Sequence, residues 1–211
     1  MSGPRVIAID GPAGSGKSTI SRALSERLAL ATLDTGASYR AVTAAALRAG
    51  LDLGDLEAVA ALARSARLSI DDTVVIDGVD VTEEIRSDQV NHAVSLVAAN
   101  PEVRSVLVDW QRSWVAAHGG GIVEGRDIGS VVFPDATVKL YLTASADERA
   151  RRRADEGAAS VERRDRLDST RAASPLKPAR DAVEIDTTAH GVDAVVALVL
   201  EHIEQIEEES R

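Results

Sequence analysis

One stretch near the N-terminus, Gly11-Pro12-Ala13-Gly14-Ser15-Gly16-Lys17-Ser18-Thr19, restricts this chain more than any other. It reads G-x-x-x-x-G-K-S, and its glycines let the backbone turn until successive N–H groups point inward around an anion-sized hollow. A helix that starts on such a loop adds the positive end of its dipole at the same place. In a loop of this pattern the lysine, here Lys17, reaches the outer phosphates, and the hydroxyl of Ser18 is placed to ligate Mg²⁺. The motif needs a strand before it and a helix after it. Val6-Ile7-Ala8-Ile9 is an apolar run fit for a buried strand, and Ile20, Leu24 and Leu28 recur every four residues on one helix face. The order strand, loop, helix predicts a chain that binds a nucleoside triphosphate.

Short β-rich runs alternate with helical patterns along most of the chain, which predicts an α/β fold with a parallel sheet covered by helices. Five core strands are expected near Val6–Asp10, Ala31–Leu33, Gly121–Glu124, Val138–Thr143 and Ala182–Asp186. The helices between them include Lys17–Leu28, Gly36–Ala49 and Asp55–Ser65. A longer helix opens with Asn100 as its cap and Pro101 at its first position, and closes at Gly119-Gly120-Gly121. The last runs from Val192 to about Glu208. One segment breaks the alternation. Arg67–Asp71, Val74–Ile76 and Val79–Val81 are short strand-like runs with an Asp77-Gly78 hairpin signal, so a small antiparallel insertion is expected, followed by a helix over about Ser87–Ala99.

Composition narrows the partners. The 211 residues suit one domain, or one domain with inserts, and the formal net charge of −10 argues against general binding to nucleic acid or anionic membrane. Only 2% of residues are aromatic, too few for a base-stacking platform. Cysteine is absent, so a disulfide framework or thiolate metal site is excluded. The strand pattern begins by Val6 and no apolar run is long enough to cross a bilayer, so a cytoplasmic protein without signal peptide is expected. A monomer is expected too, for want of an obvious exposed apolar stripe.

Three further groups carry chemistry. Thr35 stands at the carboxyl end of the second strand, where α/β sheets bind ligands, and Arg40 follows in the first turns of the next helix. A planar guanidinium there suits a dianionic phosphate, although a surface arginine on a capped helix would give the same pattern. Arg126 and Asp127 follow the third strand between Gly125 and Gly129, again at the ligand-binding edge, with a structural ion pair as the alternative. Residues 149 to 180 hold ten of the chain's 24 basic residues, Arg149 and Arg153 sharing a helix face. Phosphoryl transfer needs positive charge around the migrating group more than it needs covalent work from the protein.

Together these pieces resemble the bacterial cytidylate kinases, a branch of the nucleoside monophosphate kinases, essentially from end to end. The resemblance rests on Asp10-Gly11-Pro12 with the phosphate loop, Leu33-Asp34-Thr35-Gly36 with Tyr39-Arg40, and Asp80-Val81-Thr82 with Ile85-Arg86. It continues through Glu124-Gly125-Arg126-Asp127-Ile128-Gly129, Val132–Ala136, and Arg164–Arg171 with Ser174-Pro175-Leu176. It implies a P-loop kinase fold with a core of residues 1–35, 100–148 and 172–211, a monophosphate-binding region over 36–99 and a short lid over 149–171. The implied reaction is transfer of the ATP γ-phosphoryl group, with Mg²⁺, to CMP and dCMP, carried by Lys17, Arg126, Asp127 and Arg171. Gly11 to Thr19 would hold the ATP phosphates, with Arg149 and Arg153 at the start of the lid. Thr35, Ser95, Arg104 and Asp127 match positions that read the cytosine base, and Arg40 and Arg126 match those that clamp the acceptor phosphate. Arg171 would lie close to base or phosphate, while Arg164 and Asp168 match those that contact the sugar. Between Arg153 and Arg164 the chain is shorter than most such kinases. The rivals are a phosphate-loop kinase acting on an acid such as shikimate or gluconate, and a nucleotide-dependent switch.

Overall fold

The computed structural model describes residues 5–153 and 176–209. Its main sheet has five strands in the order β2-β6-β1-β7-β8, formed by β1 (Arg5–Asp10), β2 (Thr32–Asp34), β6 (Gly120–Gly125), β7 (Val138–Thr143) and β8 (Val183–Asp186). The central β1 runs parallel to both β6 and β7, Ile9 standing opposite Glu124 on one side and Leu140 on the other. Parallel pairing continues from β7 to β8. Every core strand expected from the apolar runs is present, with each end matching or shifted by one residue.

Contacts divide the chain into two compact units, Met1–Thr32 with Val115–Arg211, and Leu33–Trp114. In the first, helix α1 (Lys17–Leu28) and the C-terminal helix α7 (Val192–Glu209) lay Ile20, Leu24, Val195, Val199 and Ile203 against Ile7, Ile9, Ile122, Leu140 and Leu142 of the sheet. These side chains are aliphatic and sit in one buried cluster. Burial of each Leu or Ile contributes about 1.5–3 kcal/mol. A seven-residue helix α6 (Ala146–Arg152) follows β7, its Ser145 cap accepting a hydrogen bond from Glu148 N.

The second unit is built around α2 (Thr35–Arg48), which contacts α3 (Leu56–Ser65), α4 (Asp88–Ala99), the strands β3 (Leu68–Ile70) and β4 (Val74–Ile76), and a 3-10 turn at Glu84–Arg86. Ala37, Ala41, Ala44 and Ala46 are buried on α2, and such small side chains let neighbours approach closely. Asp34 caps α2 by accepting from Gly36 N, which starts the helix at Thr35, one residue before the sequence pattern suggests. The antiparallel insertion is a three-stranded sheet, β3-β4-β5, with β5 at Val79–Asp80. Asn100 caps the long α5 (Pro101–His118) as expected, its side-chain oxygen accepting from Glu102 N at 3.0 Å. Gly119 ends that helix in a left-handed conformation, and the next two glycines already belong to β6. No described helix is long and apolar enough to cross a membrane.

Candidate active site

β1 delivers the chain to the phosphate loop at Asp10, and α1 resumes at Lys17 behind Gly16, whose left-handed φ of 93° closes the turn. Lys17 folds back so that Nζ donates to the carbonyls of Gly11 and Pro12, both at 2.9 Å. Arg126 also donates to the Gly11 carbonyl from the loop after β6. An ammonium and a guanidinium thus share one rim of the loop.

The metal-binding expectation falls on Ser18. Its hydroxyl donates to Glu124 Oε2 at 3.0 Å, and Glu124 is buried at the carboxyl end of β6. A hydroxyl beside a buried carboxylate is a set of hard oxygen donors, which suits Mg²⁺ held jointly with substrate phosphates. Among the described residues no cluster of three or more His, Asp or Glu forms a metal site by itself. Ser18 and Glu124 supply the oxygen donors that a divalent metal at this loop would need.

Asp10 ties the two loops together. Its carboxylate accepts from Ile128 N at 2.7 Å and Gly129 N at 2.8 Å, fixing the turn that carries Arg126 and Asp127. Burial pushes the Asp10 carboxyl up to about 6, and the neighbouring Asp127 charge adds to the shift, while the two N–H groups and Lys17 oppose it. Asp127 is itself buried, and its carbonyl accepts from Val131 and Val132 in a short π-helical turn over Ile128–Val132. That turn is absent from any periodicity in the sequence, because it is closed by backbone bonds rather than by an apolar pattern.

The basic segment after β7 meets the same loop. Arg149 Nη1 donates to the Ala13 carbonyl at 3.2 Å, and its Nε to Ala144 at 3.2 Å. Arg152, which sequence reasoning had not separated from its neighbours, donates to the Gly14 carbonyl at 3.4 Å. Arg153 stands at the C-cap of α6, its N–H on the Ala150 carbonyl.

In the second unit Thr35 is buried at the start of α2, and Ser38 Oγ donates to its carbonyl at 2.7 Å. Gln111 Nε2, fully buried, donates to that same Ser38 hydroxyl at 3.2 Å. Arg40 is half-buried and donates through Nη1 to the Ile85 carbonyl at 2.8 Å and to Asn91 Oδ1 at 2.7 Å. Asn91 is oriented in turn by donating to the Arg86 carbonyl at 2.9 Å. Arg104 is buried with its guanidinium carbon 5.8 Å from the centre of the Tyr39 ring, within cation–π reach. Ser95 is half-buried on α4. Arg164, Asp168 and Arg171 lie outside the described residues, as does most of the lid expected over 149–171.

Fold and loop together place the chain among the phosphate-loop kinases. A sugar kinase from a Janibacter species shares the fold, with a TM-score of 0.50, 15% identity, and coverage of 94% of this chain and 93% of that one. Sequence comparison is sharper. The cytidylate kinase family model matches residues 7–205. A curated cytidylate kinase from Mycolicibacterium paratuberculosis is 48% identical over 98% of this chain and 96% of its own length. One from Pelotomaculum thermopropionicum is 50% identical over 93% of this chain and 95% of its own. The chain belongs to the cytidylate kinase family.

Proposed function

We propose that this chain transfers the γ-phosphoryl group of ATP to CMP and dCMP, giving ADP and the pyrimidine nucleoside diphosphate. The observation that carries the reading is the convergence of Lys17, Arg126 and the Ser18–Glu124 pair on one phosphate loop in a chain of this family. An acceptor phosphate oxygen is already nucleophilic, so the protein has to align, neutralise charge and exclude water rather than supply a strong base. Gly11 to Thr19 hold the ATP phosphates, with Arg149 and Arg153 beside them. Bound Mg²⁺ supplies charge neutralisation on the transferring phosphate, and Ser18 and Glu124 are the oxygens that would hold it.

The monophosphate contacts are assigned residue by residue, from the family to which the chain belongs. Arg40 and Arg126 clamp its phosphate, and Arg164 and Asp168 contact the sugar, with Arg171 near base or phosphate. The bonds from Arg40 to Ile85 and Asn91 support that role, because they hold a flexible side chain in one orientation before substrate arrives. Thr35, Ser95, Arg104 and Asp127 read the base. A carboxylate with a hydroxyl accepts from the exocyclic amine of cytosine, and Arg104 and Ser95 donate to its ring nitrogen and carbonyl. Uracil would set an oxygen against Asp127 and leave a buried charge unpaired. The enzyme works as a cytoplasmic monomer on free nucleotides, without nucleic acid or membrane as partner; the net charge of −10 supports the last point, since it disfavours binding to polyanions.

Asp127→Ala tests the base-reading role. The ratio of CMP to UMP affinity should fall by on the order of 10²-fold while ATP binding stays near wild type. Equal weakening of CMP and UMP would show that Asp127 does not read the base.

A further inference from the structure

Five consecutive carbonyls of the phosphate loop accept hydrogen bonds from side chains. Lys17 takes those of Gly11 and Pro12, Arg149 that of Ala13, Arg152 that of Gly14, and Thr187 that of Ser15 at 3.0 Å. Lys17 belongs to the transfer chemistry, whereas Arg152 and Thr187 have no assigned role. Thr187 lies just after β8 and is buried. The Asp186 carboxylate bends the chain there by accepting from Thr188 N at 2.8 Å. Thr188 Oγ1 then accepts from Ser145 N at 2.8 Å, at the cap of α6.

Thr187 Oγ1 has one proton and two carbonyls within reach, Ser15 and Thr143, each at 3.0 Å. Thr143 already accepts from Thr187 N at 2.8 Å, so the hydroxyl proton is the donor that Ser15 needs. The lone pairs of Oγ1 in turn receive Arg152 Nη1 at 2.9 Å, while Nη2 donates to the Thr187 carbonyl at 2.8 Å. Glu148 Oε1 holds Arg152 Nε at 2.8 Å, so the fork enters from a fixed side. Every described peptide bond is trans, and in a trans peptide C=O and N–H point in opposite directions. Anchoring the carbonyls of Ala13, Gly14 and Ser15 on the outside therefore turns the N–H groups of Gly14, Ser15 and Gly16 the other way. The single bond described for these on that side is the long turn contact from Ser15 N to the Pro12 carbonyl, 3.4 Å.

We propose that Thr187 and Arg152 are positioning residues for ATP, a brace that fixes the peptide planes of the phosphate loop so that its amides meet the triphosphate already aligned. The inference rests on the kinase reading, which turnover of CMP by the wild-type enzyme tests separately. Its own test is Thr187→Val, which keeps the shape and removes the donor, with Thr187→Ser as the conservative control. The KM for ATP should rise about tenfold in the valine variant, and affinity for inorganic tripolyphosphate, measured by calorimetry, should fall by a similar factor. The KM for CMP should not move, and the serine variant should stay within about twofold of wild type. A folded valine variant with wild-type tripolyphosphate affinity, or one whose ATP and CMP constants rise together, would overturn the brace, as would loss of thermal stability alone. If the valine variant does not fold, Arg152→Lys makes the same prediction from a half-buried position, and wild-type tripolyphosphate affinity there would overturn it equally.

Discussion

Lys17→Ala should abolish phosphoryl transfer while the chain still folds. The ammonium stands 2.9 Å from two carbonyls of the loop, which a bound phosphate's oxygens would replace as its partners. Removing a preorganised charge from a transferring phosphoryl group costs on the order of 10³-fold in kcat. The structural loss is smaller, two hydrogen bonds of about 1 kcal/mol each on a half-buried side chain. Steady-state kinetics beside a thermal melt separates the two. A variant that retains a tenth of the wild-type kcat would place the chemistry elsewhere.

Gly11→Ala should strike stability instead. Gly11 has φ +150°, in the region that penalises any side chain, and an added Cβ would be driven into the carbonyl oxygen of Leu142. That carbonyl belongs to β7, which is paired to β1 on one side and β8 on the other, so it has nowhere to retreat. The Cβ would also stand 2.9 Å from the Ser15 hydroxyl, itself buried. Backbone strain plus a backbone clash in the sheet is worth about 3 kcal/mol or more, and Tm should fall by about 10 °C for a chain of this size. An unchanged melting temperature would mean that the loop does not lie against β7 in solution as it does here.

The phosphate loop, its flanking strand and helix, and the three-stranded insertion were legible in the sequence because each is a local pattern. Glycines at fixed offsets, an apolar run, a four-residue period and an Asp-Gly turn all act within a dozen residues. Asp10 and Glu124 stood inside quoted motifs without a role. Their importance comes from partners more than a hundred residues away, at Ile128, Gly129 and Ser18, and no spacing encodes those. Arg152 was hidden differently, in a run of three arginines whose members point different ways only once α6 is in place. Thr187 gave no signal at all. A threonine after a strand is ordinary, and only the parallel pairing of β8 with β7 brings it to the loop.

The central claim is that a cradle of backbone amides with Lys17 and Arg126 presents ATP to a pyrimidine monophosphate. Coupled detection of ADP release, with CMP, dCMP, UMP, AMP and GMP offered in turn to the purified enzyme with ATP and Mg²⁺, tests it most directly. Rapid turnover with CMP and dCMP, weak turnover with UMP and none with the purines is the predicted result. ADP release that ignores the identity of the monophosphate, or that proceeds equally without one, would contradict it.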